Sequence, residues 1–119
     1  MTRNKDSTKY YSSKQEKQVA NALGGKLVSG SGAPLFSCGD VELKDWLIEC
    51  KTTMSEKKSF SIKKEWIDKN EIERMQKLKP YSAIAFNFEP NGNIYYVINE
   101  KLMKRLVSYI DNDSLVTHD

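Results

Sequence analysis

The 119-residue chain has very little histidine: a single one, His118, next to its end. A Ser-His-Asp triad and hydrolases built on several histidines are therefore not expected. Cysteine is almost as scarce. Cys38 and Cys50 are too few for a disulfide framework, and with one distant histidine they cannot complete a zinc site. No apolar run approaches the roughly 18 residues of a membrane-spanning helix. The opening stretch, MTRNKDSTKYYSSK, is polar and basic with no apolar segment behind it. It does not read as a secretory signal, and the expected location is the cytoplasm, with no membrane partner. Internal repeats are absent, and the length suits one domain over residues 1–119.

What the chain does have is unevenly placed charge. The formal net charge is +3. Residues 1–17 carry five Lys/Arg against two Asp/Glu, residues 51–80 nine against five, and residues 18–50 only two against four. An acidic centre thus lies between two lysine-rich segments. Basic surroundings around an acidic pocket suit an enzyme acting on a polyanion, although a plain lysine-rich surface has the same composition.

Periodicity predicts the order αβββαββα. Residues 1–11 read as a flexible basic arm. Ser12 or Ser13 is the predicted start of a helix to Leu23, with Val19, Ala20 and Leu23 as its apolar stripe and Gly24-Gly25 as its end. KLVSG, DVEL and WLIECKT are three short strands close in sequence, so an antiparallel meander is expected. A second helix is predicted over 62–79, with Trp66, Ile67, Ile72, Met75 and Leu78 as an imperfect apolar face and Pro80 as its stop. YSAIAFNF and IYYVI form a hairpin around Asn91-Gly92. Asn99 can cap a last helix with Leu102, Met103, Leu106 and Ile110 on one side, and residues 112–119 read as a frayed tail.

GDVELKDWLIECK, residues 39–51, stands out. Alternation along a strand places Leu47, Glu49 and Lys51 on one face and Trp46, Ile48 and Cys50 on the other. Asp40 and Glu42 share a face of the preceding strand. Pairing the two strands brings Asp40 toward Glu49 or Lys51. Carboxylates crowded inside a sheet repel each other, and one takes up a proton or a cation joins them. An ion pair of Lys51 with Glu49 or Asp40, without chemistry, fits the same spacing. Glu16 fits a capping box with Ser13, yet it also stands at i, i+3, i+4 and i+7 with Val19, Ala20 and Leu23, on the predicted inward stripe.

A helix bearing Glu16, a strand bearing Asp40, and a strand ending in Glu49-Cys50-Lys51, with eight residues between Asp40 and Glu49, resembles the PD-(D/E)xK nuclease superfamily. Within it the chain is most similar to small Holliday junction resolvases of archaeal or phage type. Gly39 stands where the motif's proline would be. The resemblance spans about residues 12–88 and implies a restriction-endonuclease-like α/β (α+β) fold, a central mixed sheet flanked by helices, in a bacterial, archaeal or phage-infected cell. It implies catalytic roles for Glu16, Asp40, Glu49 and Lys51. Mg²⁺, or Mn²⁺ in its place, would be held by Asp40, Glu49 and the backbone carbonyl of Cys50, with Glu16 acting through water. Lys51 would orient the attacking water. The implied activity is structure-specific cleavage of branched DNA by a homodimer. Ser29, Gly30 and Ser31 could touch the DNA backbone, as could Lys57, Lys58, Lys63 and Lys64; Lys5, Lys9, Lys14 and Tyr10-Tyr11 could extend the footprint. Trp66 reads as core. Two alternatives stay open: a nicking, restriction-like or repair endonuclease of the same fold, and a DNA-binding module whose charged cluster is structural.

Overall fold

The computed structural model describes residues 8–28 and 40–117. It is a mixed α+β fold of three helices and one five-stranded sheet: α1 Thr8–Leu23, β1 Lys26–Leu27, β2 Asp40–Glu42, β3 Trp46–Cys50, α2 Lys64–Gln76, β4 Tyr81–Phe86, β5 Tyr95–Val97 and α3 Glu100–Thr117. The strands lie side by side in chain order. β1, β2 and β3 form the expected antiparallel meander, and β4 and β5 pair antiparallel. β3 and β4 run parallel, joined by a crossover through α2, which makes the sheet mixed. Among the described residues no helix is long and apolar enough to cross a membrane.

The register assigns each strand residue to a face. Val41, Ile48, Cys50, Ala83 and Ala85 pack with Val19 and Ala20 of α1, and all of them are buried. The opposite face carries the row Asp40, Glu49, Ile84 and Val97 and the row Glu42, Leu47 and Ser82. α2 lies over this second face, where its Asn70 is buried and its Nδ2 donates to the carbonyl of Ala83 at 3.1 Å. The sheet therefore has an apolar side under α1 and, under α2, a mixed side where Asp40, Glu42 and Glu49 stand beside buried Leu47 and Ile84.

Both of these helices end in the same kind of hydrogen-bonded loop. Gly24, at φ +73°, follows α1, and the N–H of Gly25 returns to the carbonyl of Ala20. Leu78 plays Gly24's part after α2, at φ 57° and 87% exposed, with the N–H groups of Leu78 and Lys79 bonded to Met75 and Arg74. This is the Schellman arrangement, with leucine in a left-handed position where glycine is the usual choice. At the start of α3, the Oδ1 of Asn99 accepts the N–H of Leu102 at 2.8 Å, the expected cap.

Several expectations need correction. α1 begins at Thr8, so residues 8–11 are helical and not part of an arm, and Ser13 and Glu16 lie inside the helix, where no capping box can form. α2 is shorter than 62–79. Its predicted apolar face is the outer one: Ile67, Ile72, Met75 and Leu78 are 37%, 53%, 54% and 87% exposed. The helix sits over a charged sheet surface, so Trp66, Asn70, Glu73 and Lys77, spaced by four, three and four residues, turn inward instead. The hairpin loop is wider than a two-residue turn. It spans 87–94 around Glu89-Pro90-Asn91-Gly92, where Pro90 precedes Asn91 at φ 62° and the N–H of Gly92 bonds to Glu89. The region expected to be a frayed tail is helical to Thr117.

Candidate functional site

The register pairs Asp40 directly with Glu49 on adjacent antiparallel strands. α2 brings a third carboxylate, Glu73, onto the same spot. One oxygen from each of Asp40, Glu49 and Glu73 lies within 4.8 Å of the other two. Glu49 is buried, while Asp40 and Glu73 are half-buried. Asp40 bears most of the cost of this crowding. Burial, the hydrogen-bonding contact with Glu49, and the charges of Glu49 and then Glu73 push its carboxyl up to about 8, against a smaller opposing pull from Lys77. Its Oδ1 is buried with no hydrogen-bond partner among the described residues. In this form Asp40 carries a proton at neutral pH.

Cations stand around the three acids. Lys51 Nζ is 3.1 Å from Glu49 Oε2 and 4.5 Å from the centre of the Trp66 ring. Its side chain is 16% exposed, so it combines limited access to solvent with a fixed position. The backbone is pinned on both sides: its N–H donates to Ala85 at 2.8 Å, and its carbonyl accepts from Nε2 of Gln15. The next two residues are tied to buried Asn87, whose Oδ1 accepts from Thr52 Oγ1 at 3.0 Å and from the N–H of Thr53. On the helix side, Lys69 Nζ lies 3.9 Å from Glu73 Oε2.

Glu42 shares the face of Asp40 but is otherwise engaged. Lys77 Nζ is 2.6 Å and Lys79 Nζ 3.5 Å from its carboxylate, and chiefly the bond to Lys77 holds its carboxyl below the usual range. Glu71 is likewise committed, to Arg74 through two bonds of 2.9 and 3.0 Å and to Ser82 Oγ.

Of the four residues singled out as catalytic, Asp40, Glu49 and Lys51 come together. Glu16 is half-buried on α1, which packs on the other side of the sheet, and it is not one of the three clustered acids. Its neighbour Gln15, 2% exposed, reaches the end of β3 at the carbonyl of Lys51. The Cys50 side chain is buried in the α1-side core. Lys57, Lys58, Lys63 and Lys64 are all exposed and follow β3 in the chain, Lys64 paired with Asp68 at 2.8 Å and Lys63 5.8 Å from the Trp66 ring centre. Lys9, Tyr10, Tyr11 and Lys14 all belong to α1, where Lys14 Nζ lies 5.5 Å from the Tyr10 ring centre. Lys5, Ser29, Gly30 and Ser31 lie outside the described residues. Trp66, expected as core, is a half-buried wall of the site between two lysines. Glu73 escaped sequence reading altogether. Its signal was the spacing of Asn70, Glu73 and Lys77, which puts polar residues on one helix face beside strands that themselves carry charge.

Carboxylate oxygens are the donors a hard cation takes, and a cation shared by these three acids would draw their oxygens closer together than they stand without one. The orphaned Oδ1 of Asp40 would gain a partner, and the carboxyl would lose its proton. No protein-family model matches the chain, and neither a curated protein nor a solved structure does.

Proposed function

We propose that the chain is a metal-dependent endonuclease with a restriction-endonuclease-like core, acting on branched DNA. The observation that carries this reading is the convergence of Asp40, Glu49 and Glu73 beside a fixed, half-buried Lys51. Asp40, Glu49 and Glu73 would hold Mg²⁺, with Mn²⁺ as a substitute. When bound, such an ion polarises the phosphate and lowers the pKa of a coordinated water. The chain's own residues do the rest. Lys51 holds the attacking water and stabilises negative charge gathering on the phosphate oxygens. Glu49 and the Trp66 ring keep the ammonium from turning outward. Water oxygen bonds to phosphorus and gives up a proton to solvent, the bond to the 3′ oxygen breaks, and that oxygen takes up a proton from solvent, so a 5′-phosphate and 3′-hydroxyl remain. Exposed Lys57, Lys58 and Lys63 offer charge to neutralise a DNA backbone as it enters.

The test is cleavage of a four-way junction beside linear duplex and flap DNA, with Mg²⁺ or with chelator. Mg²⁺-dependent, symmetric junction cuts are expected, at least about tenfold faster than cuts in linear duplex. Equal cutting of duplex would make the enzyme a nicking or repair nuclease of the same core. Binding without metal-dependent cutting would leave a DNA-binding module and defeat the proposal.

A further inference from the structure

The last helix points to a second binding surface, different in character from the carboxylate site. α3 spans Glu100–Thr117, and among its described side chains, 100–113, Leu102 is buried and Leu106 half-buried while every other one is exposed. Met103, Val107 and Ile110 are 53%, 44% and 62% exposed. They stand at i, i+4 and i+7 and form one stripe along the helix. Leu106 adjoins that stripe at i+3 from Met103 and i+4 to Ile110. It also lines an apolar groove of about 370 Å³ with Leu23, Leu43, Trp46, Ile48 and Tyr96, so stripe and groove are one continuous surface.

Charge indicates what covers it. The first turns of α3 carry Glu100, Lys101, Lys104 and Arg105, a net positive set in which Lys104 Nζ lies 3.6 Å from exposed Glu100, and the later turns carry Asp111 and Asp113. Arg105 is directed toward the body, 5.6 Å from the Tyr81 ring. Lys104 and Asp111 flank the stripe on the same side, almost symmetrically about Val107. Such a helix is complementary to itself when reversed: basic half meets acidic half, and the helix dipoles oppose. We infer that α3 pairs antiparallel with α3 of a second copy of this chain about a two-fold axis near Val107, with Met103, Val107 and Ile110 in the seam and Lys104 of each copy beside Asp111 of the other. Heptad-like spacing of Met103, Leu106 and Ile110 suits such a seam. This assignment does not depend on what the carboxylate cluster does; a dimer would additionally present two such clusters to a two-fold substrate.

Sedimentation equilibrium of the full chain over a concentration series tests it. A species of twice the 13.7 kDa chain mass is expected. Val107→Glu should raise the dimer dissociation constant at least about 100-fold while circular dichroism keeps its helical signal, because a charge is then forced into the seam. Lys104→Glu and Asp111→Lys should each weaken the dimer by about tenfold, and the double reversal should return it to within about threefold of the original. A chain that stays monomeric at millimolar concentration, or a dimer indifferent to Val107→Glu, overturns the inference. Failure of the double reversal to restore association overturns the antiparallel register.

Discussion

Under the proposed endonuclease function, Lys51→Ala should lower the Mg²⁺-dependent cleavage rate at least about 100-fold, or about 2.7 kcal/mol of transition-state stabilisation, while divalent-cation binding persists. Lys51 is not a metal ligand. Its ammonium sits on the edge of the carboxylate cluster, 3.1 Å from Glu49, and its other side is closed by the Trp66 ring at 4.5 Å. A charge held this way is already oriented when the phosphate arrives, so the reaction spends nothing on moving it. Alanine removes the charge and leaves the three carboxylates in place. Lys51→Met, which retains the aliphatic stem against Trp66, should fall almost as far, since it is the charge that acts. A structural ion pair predicts otherwise: activity would then follow stability, and Lys51→Met would recover most of both. The measurement is single-turnover cleavage alongside Mn²⁺ binding for the three proteins. Loss of rate with binding intact supports a role in chemistry. Parallel loss of rate, binding and melting temperature points to a structural one.

Asp40→Asn, in chelator, should raise the melting temperature at pH 8.5 by at least about 10 °C and by much less at pH 4.5. A carboxyl whose folded-state pKa lies above its unfolded one favours the fold while it is protonated. That contribution is complete below the unfolded value of 3.8, fades as pH rises, and is gone once pH passes the folded value near 8. The wild type therefore loses stability across this window, by at most about 6 kcal/mol, because each unit of difference corresponds to about 1.4 kcal/mol. Asparagine cannot ionise and escapes the loss, and its amide can donate to Glu49 where the protonated acid does. Adding Mg²⁺ should stabilise the wild type at pH 8.5 more than the variant, since a cation bound only by the folded state stabilises it by mass action. A variant that melts lower than wild type at pH 8.5 would show that Asp40 is needed as an anion by the fold itself.

The pieces of this site that sequence revealed are those governed by short-range alternation. Asp40, Glu49 and Lys51 were legible because strand residues alternate strictly, and the brief connection at Lys44-Asp45 leaves little freedom in pairing β2 with β3. Helical residues were harder to place, because a helix must be rotated correctly about its axis before any side chain is aimed. α1 starts four or five residues earlier than Ser12 or Ser13 suggested, and Gln15, an uncharged residue, takes the inward place next to Val19 while Glu16 lies about 100° round. On α2 the apolar pattern misled outright: Ile72 and Met75 look like a core stripe, yet they face away from a sheet that offers Asp40, Glu42 and Glu49. Glu73 was hidden for the same reason. Residues 112–119 read as a frayed tail, yet α3 continues to Thr117.

The most direct test of the central claim is the binding of Mn²⁺, followed by electron paramagnetic resonance, to wild type, Asp40→Asn, Glu73→Gln and Glu42→Gln. Glu42 serves as the control because it shares the sheet face but is held by Lys77 and Lys79. Wild type and Glu42→Gln should bind one ion with similar affinity, while Asp40→Asn and Glu73→Gln should bind at least about tenfold more weakly. Equal binding by all four proteins, or none by wild type at millimolar Mn²⁺, would contradict the account.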